Sequence, residues 1–280
     1  MKCSLNTGIP NQNEYKAVLE TDVFKHMEAY SDEFLRINAS YLDAYSRKVV
    51  RDPFHQWSRQ WEYPFTYCKI QSESTEAKHK IRLLDAGSGV TFFPYYVQSC
   101  SDIIDVYCCD YDPDLKDTFD HINQKLNMNI GFSCADLRNT GYEDGSFDII
   151  YCISVLEHTE KYSEIIEEFY RLLRPNGKLV VTFDISLDGR LDINPSGAAN
   201  LISSLMTKFS IDDDLREIDI ERSALKTDNF TTQSALEINS NLIPWKRPSF
   251  MKHLKSVIKG RGEIAFPPLL TVCCLNLRKF

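Results

Sequence analysis

The 280-residue sequence contains no apolar run approaching the roughly 18–20 residues that a membrane-spanning helix needs. Its first residues, MKCSLNTGIPNQNEYK, lack the apolar core of a secretory signal, so a cytoplasmic location is expected. Basic residues are in deficit: 32 Lys and Arg stand against 40 Asp and Glu, a formal net charge of -8. That balance argues against a broad, sequence-independent grip on nucleic acid, which requires a basic footprint. No Cys-x-x-Cys pair occurs, and the nine cysteines are odd in number, so neither a zinc clamp nor a disulfide framework is suggested. Most lie in apolar runs such as VYCCD, IIYCIS and TVCCLNL, where cysteine packs as a small hydrophobe, and reduced thiols are expected. Internal repeats and low-complexity tracts are also missing, and the 43% hydrophobic content suits a globular chain.

What is present changes character near residue 80. Tyr15, Val18, Leu19, Val23 and Met27, then Phe34, Ile37, Tyr41, Tyr45 and Val49, recur at three- and four-residue steps, which predicts amphipathic helices over residues 13–50. The aromatic-rich stretch RDPFHQWSRQWEYPFTYCKI follows, then QSESTEAKHK, read as an exposed polar connector. From residue 81, IRLLDAG, IDVYCCD, MNIGFSCAD, SFDIIYCISV and KLVVTFDIS read as strands. Between them TFFPYYVQSC, PDLKDTFDHINQKL and the stripe Ile165, Ile166, Phe169, Leu172 and Leu173 read as helices, with Thr91 and Thr159 as candidate caps. Nearly all-apolar strands in βαβ order predict an α/β fold, a doubly wound and mostly parallel sheet covered on both faces. PSGAANLISSLMTKF, TTQSALEINS and SFMKHLKSVIKG are further helix candidates, and LLTVCCLNLRK is a terminal strand. The expected organisation is a helical cap over 1–75, a core over 76–184, a helical insertion over 185–262 and a final core strand over 263–280.

The sharpest motif is Leu84-Asp85-Ala86-Gly87-Ser88-Gly89, a strand end opening into a glycine turn. Without a Cβ, glycine lets backbone approach a ligand closely, and ligands of open α/β sheets sit at the carboxyl ends of the strands. The third glycine of a dinucleotide fingerprint would fall at Phe92 and is absent. Asp110 ends the second strand, where a carboxylate can accept two ribose hydroxyls or simply hold a turn. Asp136 ends the third strand; it can meet an exocyclic amine while the Leu137 N–H meets a ring nitrogen, or it can cap a turn.

Taken in order, LLDAGSG, CCDYDP, CADL, FDIIYCISVLEH and LLRPNGKLVVTFD resemble the Rossmann-like core of class I S-adenosylmethionine-dependent methyltransferases from Arg82 to Asp184. The resemblance implies a seven-stranded sheet whose last strand alone, LLTVCCLNLRK, is antiparallel. It implies that Asp85, Gly87 and Gly89 lie near the methionine portion of the cofactor. Asp110 would hold the ribose, Tyr111 would stack beside the adenine, Asp136 and Leu137 would read its edge, and Ile153 and Ser154 would line the sulfonium end. The family often carries a third glycine where this chain has Thr91. WEYPF, FDISLDG and LIPW look like methyltransferases of bacterial surface-glycan and small-metabolite pathways. That similarity implies a small polar or sugar-linked acceptor and a place in polysaccharide biosynthesis.

Methyl transfer from a sulfonium asks chiefly for positioning, and a base is needed only where the nucleophile holds a proton. His158, next to Glu157, is the first candidate base. Arg51, His55, Arg59, Trp61 and Tyr63, with Asp184 and Arg190, combine cations with flat apolar surfaces and are the candidate acceptor residues. No metal is expected, because the adjacent acids Asp212, Asp213 and Asp214 point different ways. A nicotinamide-dependent oxidoreductase and a non-catalytic binding module of the same fold stay open, and oligomeric state is not legible.

Overall fold

The computed structural model describes residues 5–45, 52–191, 193–212, 219–246 and 266–280. The first helices are α1 (Gln12–Leu19), α2 (Asp22–Tyr45) and α3 (Arg59–Glu76). A capping box starts α1: the Asn11 side chain accepts from the Glu14 N–H, and the Glu14 carboxylate accepts from the Asn11 N–H. The polar connector expected after residue 70 is corrected here, because α3 continues through it to Glu76. Its exposed polar positions form the outer face of a helix whose other face is buried.

The α/β core then alternates as the periodicity requires. β1 (Ile81–Ala86), α4 (Phe93–Ser99), β2 (Ile104–Asp110), α5 (Leu115–Leu126), β3 (Gly131–Cys134), β4 (Phe147–Ile153), α6 (Tyr162–Leu172) and β5 (Leu173–Ser186) follow in turn. Next come α7 (Pro195–Met206), β6 (Phe209–Ile211), α8 (Ile220–Ala224), α9 (Thr232–Ile238) and β7 (Leu270–Lys279). The seven strands lie in the order β3-β2-β1-β4-β5-β7-β6. β1 pairs in parallel with β2 on one side and β4 on the other, with Leu83 opposite both Val106 and Ile149. β7 runs antiparallel between β5 and β6. Strand order therefore reverses between β1 and β4, and a crevice opens at their carboxyl ends.

Successive residues of each strand serve opposite faces. Leu83, Val106, Ile149, Val180 and Val272 pack toward a core that includes residues of α1 to α5 and α9. Their neighbours Leu84, Ile150, Val181 and Cys273 pack with α6, α7 and α8. This two-sided burial is why the strands read as continuous apolar runs.

Three local expectations differ from the structure. Thr159 does not cap α6, which starts from Lys161; its hydroxyl accepts the Lys161 N–H at 3.1 Å before the helix begins. The helix expected to reach Phe209 stops at Met206, because Phe209 pairs with Lys279 in β6. Cys68 is disulfide-bonded, which corrects the expectation of reduced thiols throughout; spacing in sequence carries no record of which cysteines meet in space. Cys100 and Cys134 are free and exposed rather than core. The helix expected over SFMKHLKSVIKG lies outside the described residues. Among the described residues no helix is long and apolar enough to cross a membrane.

Candidate cofactor and acceptor site

β1 delivers the chain into the glycine turn at the sheet's switch point. Gly87 has φ +78° and Gly89 φ +50°, in the left-handed region that favours glycine. A Cβ at Gly87 would stand 2.6 Å from Val155 Cγ2. The Gly87 and Ser88 N–H groups donate to the Cys109 carbonyl at 2.8 and 3.1 Å, fixing the turn against β2. Asp110 closes the arrangement. One of its oxygens accepts the Gly89 N–H at 2.9 Å and the other accepts the Asp112 N–H at 3.1 Å. Each carboxylate oxygen keeps further acceptor capacity.

Two cavities meet at this turn. The larger, about 650 Å³, is lined by Asp110, Tyr111, Asp136, Leu137 and His158 among others. The smaller, about 200 Å³, is lined by Gln56, Arg59, Tyr63, Asp85, Tyr151 and Ile153 among others. Gly87, Asp110 and Ser154 border both. Every expected cofactor residue thus borders one or both cavities. Tyr111 is 82% exposed at the rim of the larger.

The floor of the smaller cavity is electrostatically unusual. Asp85 is 5% exposed, and burial pushes its carboxyl up to about 8. The Tyr151 hydroxyl, donating to Asp85 at 2.8 Å, opposes that shift, while the nearby Asp110 charge adds to it. Burial likewise pushes Glu157 up to about 8, with the neighbouring Glu62 charge contributing. Glu157 accepts the Asp184 N–H at 3.2 Å through one carboxyl oxygen, and its other oxygen has no hydrogen-bond partner among the described residues.

A buried network ties α3 to the strand ends. Glu62 is fully buried and accepts the Ser154 hydroxyl at 2.9 Å and the Thr182 hydroxyl at 2.5 Å through Oε1. Its Oε2 takes a charge-assisted bond from Arg59, whose Nη1 also donates to Ser154 Oγ at 2.5 Å. Ser154 itself is left-handed at φ +49°, with its N–H on the Thr182 carbonyl. Nothing local in the sequence marks Glu62 or Thr182 as partners, since they lie 120 residues apart. Tyr151 was equally invisible inside an apolar strand.

The remaining expected acceptor and catalytic residues separate. Arg51 lies outside the described residues. Trp61 is 1% exposed and packs in the core. His55 stands off both cavities, its ring bonded to Asp52 at 2.7 Å and Glu28 at 3.1 Å, with Asp32 at 3.9 Å. The Asp52 hydrogen bond raises its pKa to about 9, and Asp32, Asp52 and His55 bring their ligand atoms within 4.8 Å of one another, a grouping that could also hold a metal ion. Arg190 lies on the turn after β5, 3.8 Å from Asp188. His158 sits exposed in the 3-10 turn Leu156–His158 beside the larger cavity, not the smaller.

The strand order, the switch-point turn and the acidic strand ends agree with the class I S-adenosylmethionine-dependent methyltransferase core that the sequence resembles. Residues 84–181 match the family described as "Methyltransferase domain". A 90-residue stretch is 30% identical to "Methyltransferase GfsG" of Streptomyces halstedii, covering 32% of each chain. A second, of 101 residues, is 27% identical to "Phosphoethanolamine N-methyltransferase 3" of Arabidopsis thaliana, covering 36% of this chain and 20% of that protein. The chain thus spans a third or less of the length of these curated relatives. The solved structure of geranyl diphosphate C-methyltransferase from Streptomyces coelicolor A3(2) is 9% identical with a TM-score of 0.54, over 77% of this chain and 79% of that one. That likeness concerns the fold alone.

Proposed function

We propose that the protein transfers a methyl group from S-adenosylmethionine to an oxygen of a small polar or sugar-linked acceptor. The observation carrying this reading is the junction of two cavities at Gly87, Asp110 and Ser154, on the carboxyl ends of the central strands. The site suits that cofactor on its own chemistry. A Cβ would fill the cradle at Gly87, a carboxylate at Asp110 faces the nucleoside side, and a buried carboxyl at Asp85 faces the side where a cation would lie. When bound, the cofactor supplies an electrophilic methyl group. Asp110 accepts hydroxyl donors, Tyr111 offers a ring face, and Asp136 with the Leu137 N–H presents an acceptor and a donor to a base edge. Asp85 offsets positive charge in the smaller cavity, and Ile153 and Ser154 border its methyl end.

Arg59 favours oxygen over nitrogen at the acceptor. A guanidinium carries donors and no acceptor, so beyond its bonds to Glu62 and Ser154 it can donate to an acceptor oxygen but offers nothing to an amine N–H. Among the described residues no histidine lines that cavity, and an ionised oxygen needs no base. A neutral hydroxyl would require Glu157 or His158 to take its proton. Arg59 and Tyr63 reach the cavity from the N-terminal segment, which supports an acceptor role for residues 1–75, whereas no described residue of the 185–262 insertion borders either cavity. A cytoplasmic location and a role in glycan assembly complete the proposal.

Isothermal titration calorimetry with S-adenosylmethionine on the intact protein and Asp110→Ala tests the first half. Binding that weakens at least tenfold in the variant is expected, since a charge-assisted bond is lost. Folded protein that binds nothing refutes the reading. Binding with no labelled methyl passed to any sugar, carboxylate or polyol in a broad panel favours the non-catalytic module.

A further inference from the structure

We propose that Arg138 is a positioning residue that sets the adenine specificity of the larger cavity by locking the plane of the Asp136 carboxylate. The proposal rests on the cofactor reading above and deepens it. Asp136 is half exposed on a two-residue turn after β3, where a lone carboxylate would rotate freely. Arg138 removes that freedom. Its backbone N–H donates to Asp136 Oδ1 at 2.9 Å, its Nε to Oδ1 at 2.9 Å and Oδ2 at 3.0 Å, and its Nη2 to Oδ2 at 2.5 Å. The Asn139 N–H donates to the Asp136 carbonyl at 2.9 Å, so the turn itself is closed. Glu164 stands 3.7 Å from Nη1 and holds the outer side of the guanidinium. Both Asp136 and Arg138 border the larger cavity.

A bidentate guanidinium fixes a carboxylate in its own plane, which an ammonium cannot do. A carboxylate has about four lone-pair sites. Arg138 takes most of them with three N–H groups, its single Nε–H being shared between the two oxygens, which leaves acceptor capacity on Oδ2 for one more donor. The same pairing holds Asp136 down to about 2, so the carboxylate is an acceptor at every working pH. A ligand edge offering an amine N–H is bonded there. A ligand edge offering a carbonyl meets like polarity and is rejected, because an acceptor facing an acceptor leaves both unpaired. Without Arg138 the carboxylate can turn aside, and that discrimination relaxes.

Two probes separate the outcomes: S-adenosylhomocysteine, with an amine at the adenine 6-position, and S-inosylhomocysteine, with a carbonyl there. Calorimetric dissociation constants for both are measured on the intact protein, Arg138→Gln and Arg138→Lys. Wild type is expected to prefer the amine by about tenfold or more, the worth of one charge-assisted hydrogen bond. Arg138→Gln should narrow that ratio at least threefold, and Arg138→Lys should restore it only in part. An unchanged ratio, with both affinities intact or both reduced equally, overturns the proposal. Failure of wild type to bind either probe refutes the cofactor reading instead.

Discussion

The buried carboxyl at Asp85 makes cofactor binding a proton-releasing reaction. In the free protein burial holds it at about 8, so at neutral pH it is mostly protonated. A cation in the smaller cavity favours the ionised form and lowers that value. The bound state then holds fewer protons than the free state, so affinity rises with pH up to about 8 and levels above it. Each unit is worth about 1.4 kcal/mol well below the free-state value and less near it, so binding at pH 6 should be roughly 50-fold weaker than at pH 8, provided the bound-state value falls well below 6. At pH 7 about 0.9 proton should leave per cofactor bound. Titrations in two buffers of different ionisation enthalpy measure that number directly. Stability carries the opposite sign. The folded value lies above the unfolded one, so the contribution is complete below about pH 4 and is lost as pH rises through 8, by an upper bound of roughly 6 kcal/mol. Asp85→Asn keeps an acceptor for the Tyr151 hydroxyl while abolishing the titration. It should flatten the pH dependence of binding and reduce the fall in melting temperature between pH 5 and pH 8. Glu157, also held at about 8, is the internal control. A pH slope and proton release that persist in Asp85→Asn would assign them elsewhere, and a flat wild-type profile from pH 6 to 8 refutes the reasoning.

Gly87→Ala should cost about 1–3 kcal/mol by chemical denaturation, combining left-handed strain with the contact at Val155. Adding Val155→Ala should recover the contact component and leave the strain. Glu62→Gln keeps an oxygen for Ser154 and Thr182 but turns an amide toward the Arg59 guanidinium. A loss of about 3–5 kcal/mol in urea unfolding is expected for a broken buried pair, and a loss under about 1 kcal/mol would deny the pair its structural role. His158→Ala should weaken binding of S-adenosylhomocysteine severalfold while costing turnover less than the roughly 10²–10⁴-fold of a lost base. A loss in that range with unchanged cofactor affinity would place the base at His158.

The glycine turn and the acidic strand ends were legible because their signals are local. A glycine turn after an apolar run needs only its own backbone, and Asp110 meets Gly89 across two adjacent parallel strands. The lining of the smaller cavity was legible only in outline. His55 and Trp61 share their segment with Arg59 and Tyr63, yet only the latter two border the cavity. Position along α3 decides which side chain faces inward, and the aromatic composition that drew attention to the segment is the same on both faces.

Through its family resemblance the sequence implied an antiparallel closing strand; by itself it determined the layered sheet and the turn at its switch point. The latter two follow from periodicity and from backbone demands confined to a few neighbouring residues. Tertiary structure alone decided three things. It supplied β6, whose three residues gain their partners only from β7. It brought Glu62 onto Ser154 and Thr182, since a buried carboxylate recruits donors wherever the fold places them. And it set the protonation of Asp85 and Glu157, because the cost of a charge depends on how much water the surrounding fold has removed.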